Sequence, residues 1–149
     1  MDPKDLEILD SLVFDGRMTF SDLAERIALS GPSTAERVRR LESTGVIRGY
    51  SAVLEPEAVD ASFAAFVSVT LESPAAREPF FSAIDAEPAV LEAHHVAGDA
   101  DYLLKIRCAG TRDLETIISE RIKGVAGVAR TQTVVVLSTL FERPVTVRR

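Results

Sequence analysis

Apolar residues in the first third of the chain recur at the spacing of amphipathic helices, in three separate stretches. The first follows Asp2 and Pro3, a pair typical of a helix start, and its apolar positions are Leu6, Leu9, Leu12 and Val13. The second follows Thr19, three residues before Asp22 as in a capping box, and its apolar positions are Leu23, Ala24 and Ile27. The third begins after Ser30, and its apolar positions are Ala35, Val38 and Leu41. The pattern predicts three short helices.

The third predicted helix has two different faces. The face opposite its apolar stripe carries Ser33, Glu36, Arg37 and Arg40. Only Ala28 and Leu29 separate the second helix from the Ser30 cap, and so short a connection is typical of a helix-turn-helix. The whole chain has a net charge of −6, yet residues 30–50 carry four arginines against two glutamates. This local surplus favours contact with phosphate despite the acidic total.

Short motifs in this third of the chain resemble those of the Lrp/AsnC family, the feast/famine regulators of bacteria and archaea. The motifs are Asp15-Gly16-Arg17, Asp22-Leu23-Ala24, Leu29-Ser30, residues 37–42 and residues 45–50. The resemblance implies a winged helix-turn-helix in residues 1–54, with residues 46–54 forming the wing strands. It also implies a sequence-specific, DNA-binding regulator of transcription whose partner is double-stranded DNA.

Beyond a polar stretch at residues 55–61, which contains Pro56 and which we interpret as a hinge, the periodicity alternates between strand and helix. The predicted elements are a strand at 65–71, a helix at 75–86, strands at 90–97 and 102–108, a helix through Leu114, Ile117, Ile118 and Ile122, and a strand at 128–139. Phe80, Phe81 and Ile84 are expected to face inward. The order βαββαβ predicts a ferredoxin-like domain over residues 62–149, in an α+β protein.

The predicted sheet has helices on one face only, and its other face is apolar. Phe66 would lie on that outer face, together with either Val134 and Val136 or Val135 and Leu137 of the last strand. The C-terminal segment folding back is one way to cover it, and sheet-to-sheet dimerisation is the interpretation we favour. The family resemblance implies the same, with a homodimer assembling to a tetramer or octamer.

The candidate DNA-binding residues lie on the third helix, at its cap and beside it: Arg17, Ser30, Ser33, Thr34, Arg37, Arg40 and Arg48. We expect Arg37 to contact guanine, and Arg39 to contact phosphate or a neighbouring helix. Glu36 has two interpretations, an ion pair with Arg40 one turn on or a hydrogen bond from a cytosine amino group.

The turn at residues 98–102 contains two aspartates. On residue chemistry alone it is either a structural turn or a site for an ammonium group. The resemblance implies a pocket between dimers for an amino acid or a related small molecule, and the matching positions are Gly98, Asp99, Asp101, Thr131 and Thr133.

Few residues suggest catalysis, a metal or a cofactor, and none of the three is predicted. His94 and His95 point to opposite faces of a strand and so do not share one metal ion. They support one alternative, a tetrapyrrole (sirohaem-type) decarboxylase of similar architecture, but the intact arginine-bearing helix favours a regulator over an enzyme. A single cysteine, Cys108, and the lack of a leader or a long apolar run predict a soluble cytoplasmic protein without membrane contact.

Overall fold

Three helices form the start of the chain in the computed structural model, which describes residues 1–147. They are α1 (Pro3–Phe14), α2 (Phe20–Arg26) and α3 (Gly31–Ser43). The predicted caps are confirmed, because the side chains of Asp2, Thr19 and Ser30 each accept a hydrogen bond from the backbone three residues on. At Asp2 a full capping box forms, in which Asp5 accepts from the Asp2 N–H at 3.0 Å.

The core of this bundle differs from the predicted stripe on α1. Ile8 is fully buried, with Leu23, Ile27, Val38 and Leu41 around it. Val13, the last residue of the predicted apolar stripe, is 38% exposed. At 100° per residue, the buried positions Asp5 and Ser11 flank Ile8, whereas Val13 lies beyond the edge of that face.

The segment after α3 has no regular secondary structure between residue 47 and the short 3₁₀ helix Pro56–Val59. The wing strands predicted at residues 46–54 are therefore not formed. A strand needs a ladder partner, and within residues 1–147 none pairs with this segment. Tyr50 ties the segment to α3 instead, because its hydroxyl donates to Glu42 at 3.0 Å.

The second unit contains the predicted βαββαβ order. Its elements are β1 (Phe63–Leu71), α4 (Arg77–Asp85), β2 (Val90–His95), β3 (Tyr102–Cys108), α5 (Thr111–Thr116) and β4 (Val128–Val135). A π-helical segment, Ile117–Ile122, continues α5, and a 3₁₀ turn, Pro74–Ala76, precedes α4. The strands form one antiparallel sheet in the order β2-β3-β1-β4.

One face of the sheet packs on the helices. Alternate residues of β1 and β3 are buried there with Phe80, Ile84, Leu114, Ile117 and Ile122. Phe81 was predicted to point inward, but it is 38% exposed, because it lies 100° around α4 from the buried Phe80.

The other face carries the apolar residues that the alternation predicted. Phe66 lies directly opposite Val134 in the β1–β4 pair, and their exposed fractions are 36% and 58%. The register therefore selects the first of the two predicted pairs, Val134 with Val136.

The chain divides into two compact units. One holds Met1–Val53 with the C-terminal segment from Phe141, and the other holds Leu54–Leu140. Residues 55–61, which we interpreted as a hinge, fall at the start of the second unit. Within residues 1–147, no helix is long and apolar enough to cross a membrane.

Candidate DNA-reading face and ligand cavity

Two arginines of α3 are held by carboxylates of α1. Arg37 Nη1 donates to Asp2 Oδ2 at 2.6 Å and to Asp5 Oδ1 at 2.9 Å. Arg40 Nη2 donates to both oxygens of Asp5, at 2.8 and 2.9 Å. Asp5 is only 2% exposed, so one buried carboxylate, itself part of the α1 capping box, fixes two side chains of α3. We call Asp2, Asp5, Arg37 and Arg40 the latch.

The latch shifts the pKa values of Asp2, Asp5 and Arg37. Burial raises the pKa of Asp5, but hydrogen bonds from the Asp2 N–H and from Arg37, with the charge of Arg40, outweigh it, so the pKa of Asp5 is lowered overall. The Arg37 hydrogen bond lowers the pKa of Asp2, and the same contacts raise that of Arg37. Asp2, Asp5 and Arg37 therefore stay ionised near neutral pH.

The arrangement changes the predicted roles of three α3 residues. Arg39, which we expected to contact phosphate or a neighbouring helix, is exposed. Arg37, the expected guanine reader, keeps only 25% of its side chain exposed because it is in the latch. Arg40 pairs with Asp5 and not with Glu36, but 55% of its side chain remains exposed.

The other predicted DNA contacts separate into exposed and buried residues. Thr34 is corrected, because its side chain is 0% exposed and its hydroxyl donates to the Ser30 carbonyl at 3.0 Å, which leaves nothing for DNA to touch. Ser30 serves as the cap, accepting from the Ser33 N–H at 3.4 Å. Arg17 is exposed in the segment between α1 and α2, and Arg48 is exposed in the segment that follows α3.

In the second unit, the turn between β2 and β3 lines a cavity of about 340 Å³ on the outer face of the sheet. Gly98 and Asp99 are at one side of it, and Ser68, Thr70, Arg130 and Gln132 project from β1 and β4. Within residues 1–147, no ion pair holds Asp99 or Arg130. The cavity therefore offers one carboxylate and one guanidinium to a ligand.

Three of the five predicted ligand residues lie elsewhere. Asp101 Oδ2 accepts from the Leu71 N–H at 2.8 Å, so it holds the turn against β1. Thr131 and Thr133 pair with Val69 and Val67, which are buried on the helix side of the sheet. Alternation thus places both threonines on the face opposite the cavity, and no site within one chain contains all five residues.

Sequence reasoning missed Asp5, Arg130 and Gln132. Asp5 stands three residues after the Asp2 cap, which signals a capping box, but its arginine partners are more than 30 residues away in the chain. Arg130 and Gln132 are the neighbours of the predicted threonines. The register of β4 in the sheet decides whether the threonines or Arg130 and Gln132 face the cavity.

The two histidines lie on opposite faces of β2, as predicted. His94 contacts Glu92 at 3.1 Å, and the His95 ring lies 5.2 Å from that of Tyr102. His94 is opposite Leu103 in the register and His95 is opposite Tyr102.

Comparisons with known proteins match both units. A family model described as "Lrp/AsnC ligand binding domain" matches residues 64–146, and one described as "Winged helix-turn-helix DNA-binding" matches residues 1–48. The leucine-responsive regulatory protein of Escherichia coli is 40% identical over 139 residues, 92% of this chain and 85% of its own.

Solved structures give the same result. A transcriptional regulator of Neisseria meningitidis in complex with L-methionine is 31% identical, with a TM-score of 0.91 over 96% of this chain and 94% of its own. A feast or famine regulatory protein of Mycobacterium tuberculosis, also complexed with L-methionine, is 38% identical, with a TM-score of 0.87 over 95% of each chain.

Proposed function

Because the chain belongs to the Lrp/AsnC family of DNA-binding transcriptional regulators, we propose that it reads duplex DNA with the outward face of α3, centred on Arg39. The relatives are regulators and not enzymes, so the decarboxylase alternative is not favoured. We propose a cytoplasmic location, because the DNA that it regulates lies there.

The exposure of Arg39 carries the proposal. The buried side of α3 is formed by Thr34, Val38 and Leu41, and Arg39 lies on the opposite side. In the part of the chain that the structure describes, no carboxylate pairs with Arg39. A free guanidinium on the outward face of the second helix of a helix-turn-helix is placed to donate two hydrogen bonds to guanine.

The latched arginines have a different role in this proposal. Arg40 is exposed enough to reach a phosphate while it stays on Asp5, and Arg37 mainly sets the angle between α1 and α3. Ser33, Arg17 and Arg48 are proposed as backbone contacts, since phosphate contacts fix the register of the protein on the duplex.

The test compares Arg39→Ala with Arg17→Ala on duplexes selected by the wild-type protein from a random library. Loss of a base contact should weaken binding to the selected site by about 1 to 3 kcal/mol and relax the preference at one base position. Loss of a phosphate contact should weaken all sequences alike. Mobility-shift affinities that are unchanged by Arg39→Ala would exclude Arg39 as the reader.

We further propose that an amino acid or a related small molecule is the effector and that it binds the cavity beside Gly98. Arg130 would donate hydrogen bonds to its carboxylate and Asp99 would accept them from its ammonium, so both charges of a zwitterion find partners. Two relatives carry L-methionine in their structures, which supports an amino acid. Calorimetric titration of the twenty common amino acids is the test, and no heat from any of them would contradict the proposal.

The outer sheet face is the proposed surface for a homodimer that assembles further, to a tetramer or octamer. Phe66 and Val134 form the exposed apolar pair at its centre. Burying such a patch against a second copy removes it from water. Light scattering of Phe66→Asp should show a smaller species than the wild type, whereas an unchanged mass would argue against this surface.

A further inference from the structure

A second cavity, of about 620 Å³, lies on the helix side of the sheet, between α4 and the edge strand β2. It is larger than the cavity beside Gly98 and lies on the other face of the sheet. Ala93 and His95 of β2 line one wall, because they pair with the buried residues Leu104 and Tyr102 and so face the helices. We call this space the α4 groove.

The other wall is one stripe of α4. Glu78, Phe81 and Asp85 stand at positions i, i+3 and i+7, which share a face of a helix. Seven residues at 1.5 Å each separate the two carboxylates by about 10 Å along the axis, with the Phe81 ring between them. No ion pair within residues 1–147 holds Glu78 or Asp85.

The floor of the groove contains a polar group without a partner. Tyr102 is only 3% exposed. Its ring packs edge-on against that of Phe81, with the ring centroids 5.4 Å apart, and against the His95 ring, with the centroids 5.2 Å apart. Its hydroxyl makes no hydrogen bond to any described residue. Every fully buried side-chain oxygen in that part of the chain has a hydrogen-bond partner, so the hydroxyl oxygen of Tyr102 is itself accessible. The hydroxyl therefore opens onto the groove that Tyr102 lines, where it awaits a donor or acceptor.

The charges of the lining residues determine which class of ligand the α4 groove can bind. None of the described residues that line the groove is a lysine or an arginine. Glu92 also lines it, but that carboxylate is committed to Lys105 and His94, each at 3.1 Å. The groove thus presents a free carboxylate at each end, aromatic rings in the middle and an open hydroxyl.

We propose that the α4 groove binds an aliphatic diamine or polyamine, with one ammonium at Glu78, the other at Asp85 and the methylene chain over Phe81. Ammonium groups pair with carboxylates and are also attracted to aromatic faces, which the stripe supplies together. A free amino acid is disfavoured, because within residues 1–147 the lining has no guanidinium or ammonium group to meet its carboxylate. The two cavities therefore suit different classes of ligand: the cavity beside Gly98 suits a zwitterion, and the α4 groove suits a dication.

The experiment titrates 1,4-diaminobutane and spermidine into the full chain at constant ionic strength. The chain has two tyrosines and no tryptophan, so Tyr50→Phe leaves Tyr102 as the only tyrosine fluorophore and gives a local signal. We expect saturable binding of the diamine, and n-butylamine, with one charge, should bind more weakly by about three- to fivefold.

Glu78→Gln and Asp85→Asn should each weaken diamine binding by about three- to fivefold, and the double variant by about tenfold. The matched control is Glu57→Gln, which removes the same charge at an exposed position outside the groove and should bind like the wild type. Tyr102→Phe keeps the ring and removes the hydroxyl. Because this variant lacks the fluorophore, calorimetry measures its loss of affinity for the diamine. Absence of saturable binding, or equal affinity for the double variant and the control, would overturn the proposal whatever the outcome with amino acids or DNA.

Discussion

We call the unit that contains α1, α2 and α3 the reading unit and the unit that contains the sheet the sensing unit. The latch of the first and the cavity beside Gly98 of the second use their charges in opposite ways. On α3, Arg37 and Arg40 are already matched by Asp2 and Asp5, with contacts of 2.6 to 2.9 Å. Around the cavity of the sensing unit, Asp99 and Arg130 have no ion-pair partner within residues 1–147. The latch therefore satisfies its own charges, whereas the cavity leaves two opposite charges unpaired among the described residues.

The difference follows from what each unit binds. A helix that enters a DNA groove works best when its angle is set in advance, because ordering it at the moment of binding lowers the affinity. A sensing cavity instead needs a difference in free energy between its empty and occupied states, since a ligand shifts an equilibrium only through such a difference. Removing a latch residue should therefore affect stability, and removing a cavity residue should affect ligand affinity.

The largest expected effect is on the latch. Asp5→Ala removes a buried carboxylate that accepts hydrogen bonds from two arginines, and we expect the free energy of unfolding of the reading unit to fall by about 2 to 3 kcal/mol. The arginines are partly exposed and regain water, which keeps the loss below that of a fully buried pair. Urea unfolding followed by the fluorescence of Tyr50, in a Tyr102→Phe background, measures it.

Glu7→Ala is the matched control for Asp5→Ala. Glu7 pairs with Lys4 on the same helix at 2.8 Å, but both side chains are more than a third exposed, so its removal should cost less than about 1 kcal/mol. Equal losses for Asp5→Ala and Glu7→Ala would mean that the latch does not hold α1 and α3 together.

Local patterns in the sequence predicted the parts of this comparison that depend on near neighbours. The caps at Asp2, Thr19 and Ser30 and the βαββαβ order follow from side-chain chemistry within a few residues and from strand alternation. The latch joins residues more than 30 positions apart, so no local pattern contains it.

Small angular errors explain the misassigned side chains. Thr34 lies within the buried stripe of α3, between the directions of Val38 and Leu41, and its hydroxyl is satisfied within the helix, so a polar residue is buried there at little cost. On β4, a choice of one residue in register decides whether the threonines or Arg130 and Gln132 face the cavity. The prediction of wing strands at residues 46–54 was wrong for another reason, since strand formation depends on a partner segment that residue patterns do not show.

A smaller effect is expected at the sensing cavity. Arg130→Gln should weaken binding of the amino-acid effector by about tenfold, or about 1.4 kcal/mol, because a charge-assisted hydrogen bond to its carboxylate is lost. Thr131→Val is the control on the other face of the same strand and should leave the affinity unchanged. The stability of the reading unit should not respond to either variant. If Thr131→Val weakened binding more than Arg130→Gln, a neighbouring subunit would have to supply the opposite face of β4 to the site.

The smallest effect is a difference in acid sensitivity between the units. The lowered pKa values of Asp2 and Asp5 give the reading unit stability that is present above their unfolded values, near 3.9, and is lost as the pH falls through the folded ones. The sensing unit has Glu92, whose pKa is lowered by His94 and Lys105, but its side chain is 46% exposed and water screens the pair. Between pH 6 and pH 3.5, the urea midpoint reported by Tyr50 should therefore fall more than the midpoint reported by Tyr102 in single-tyrosine variants. Asp5→Asn should remove part of this extra sensitivity, because one of the two titrating carboxylates is gone. A larger fall at Tyr102 would contradict the assignment of the latch as the acid-sensitive element.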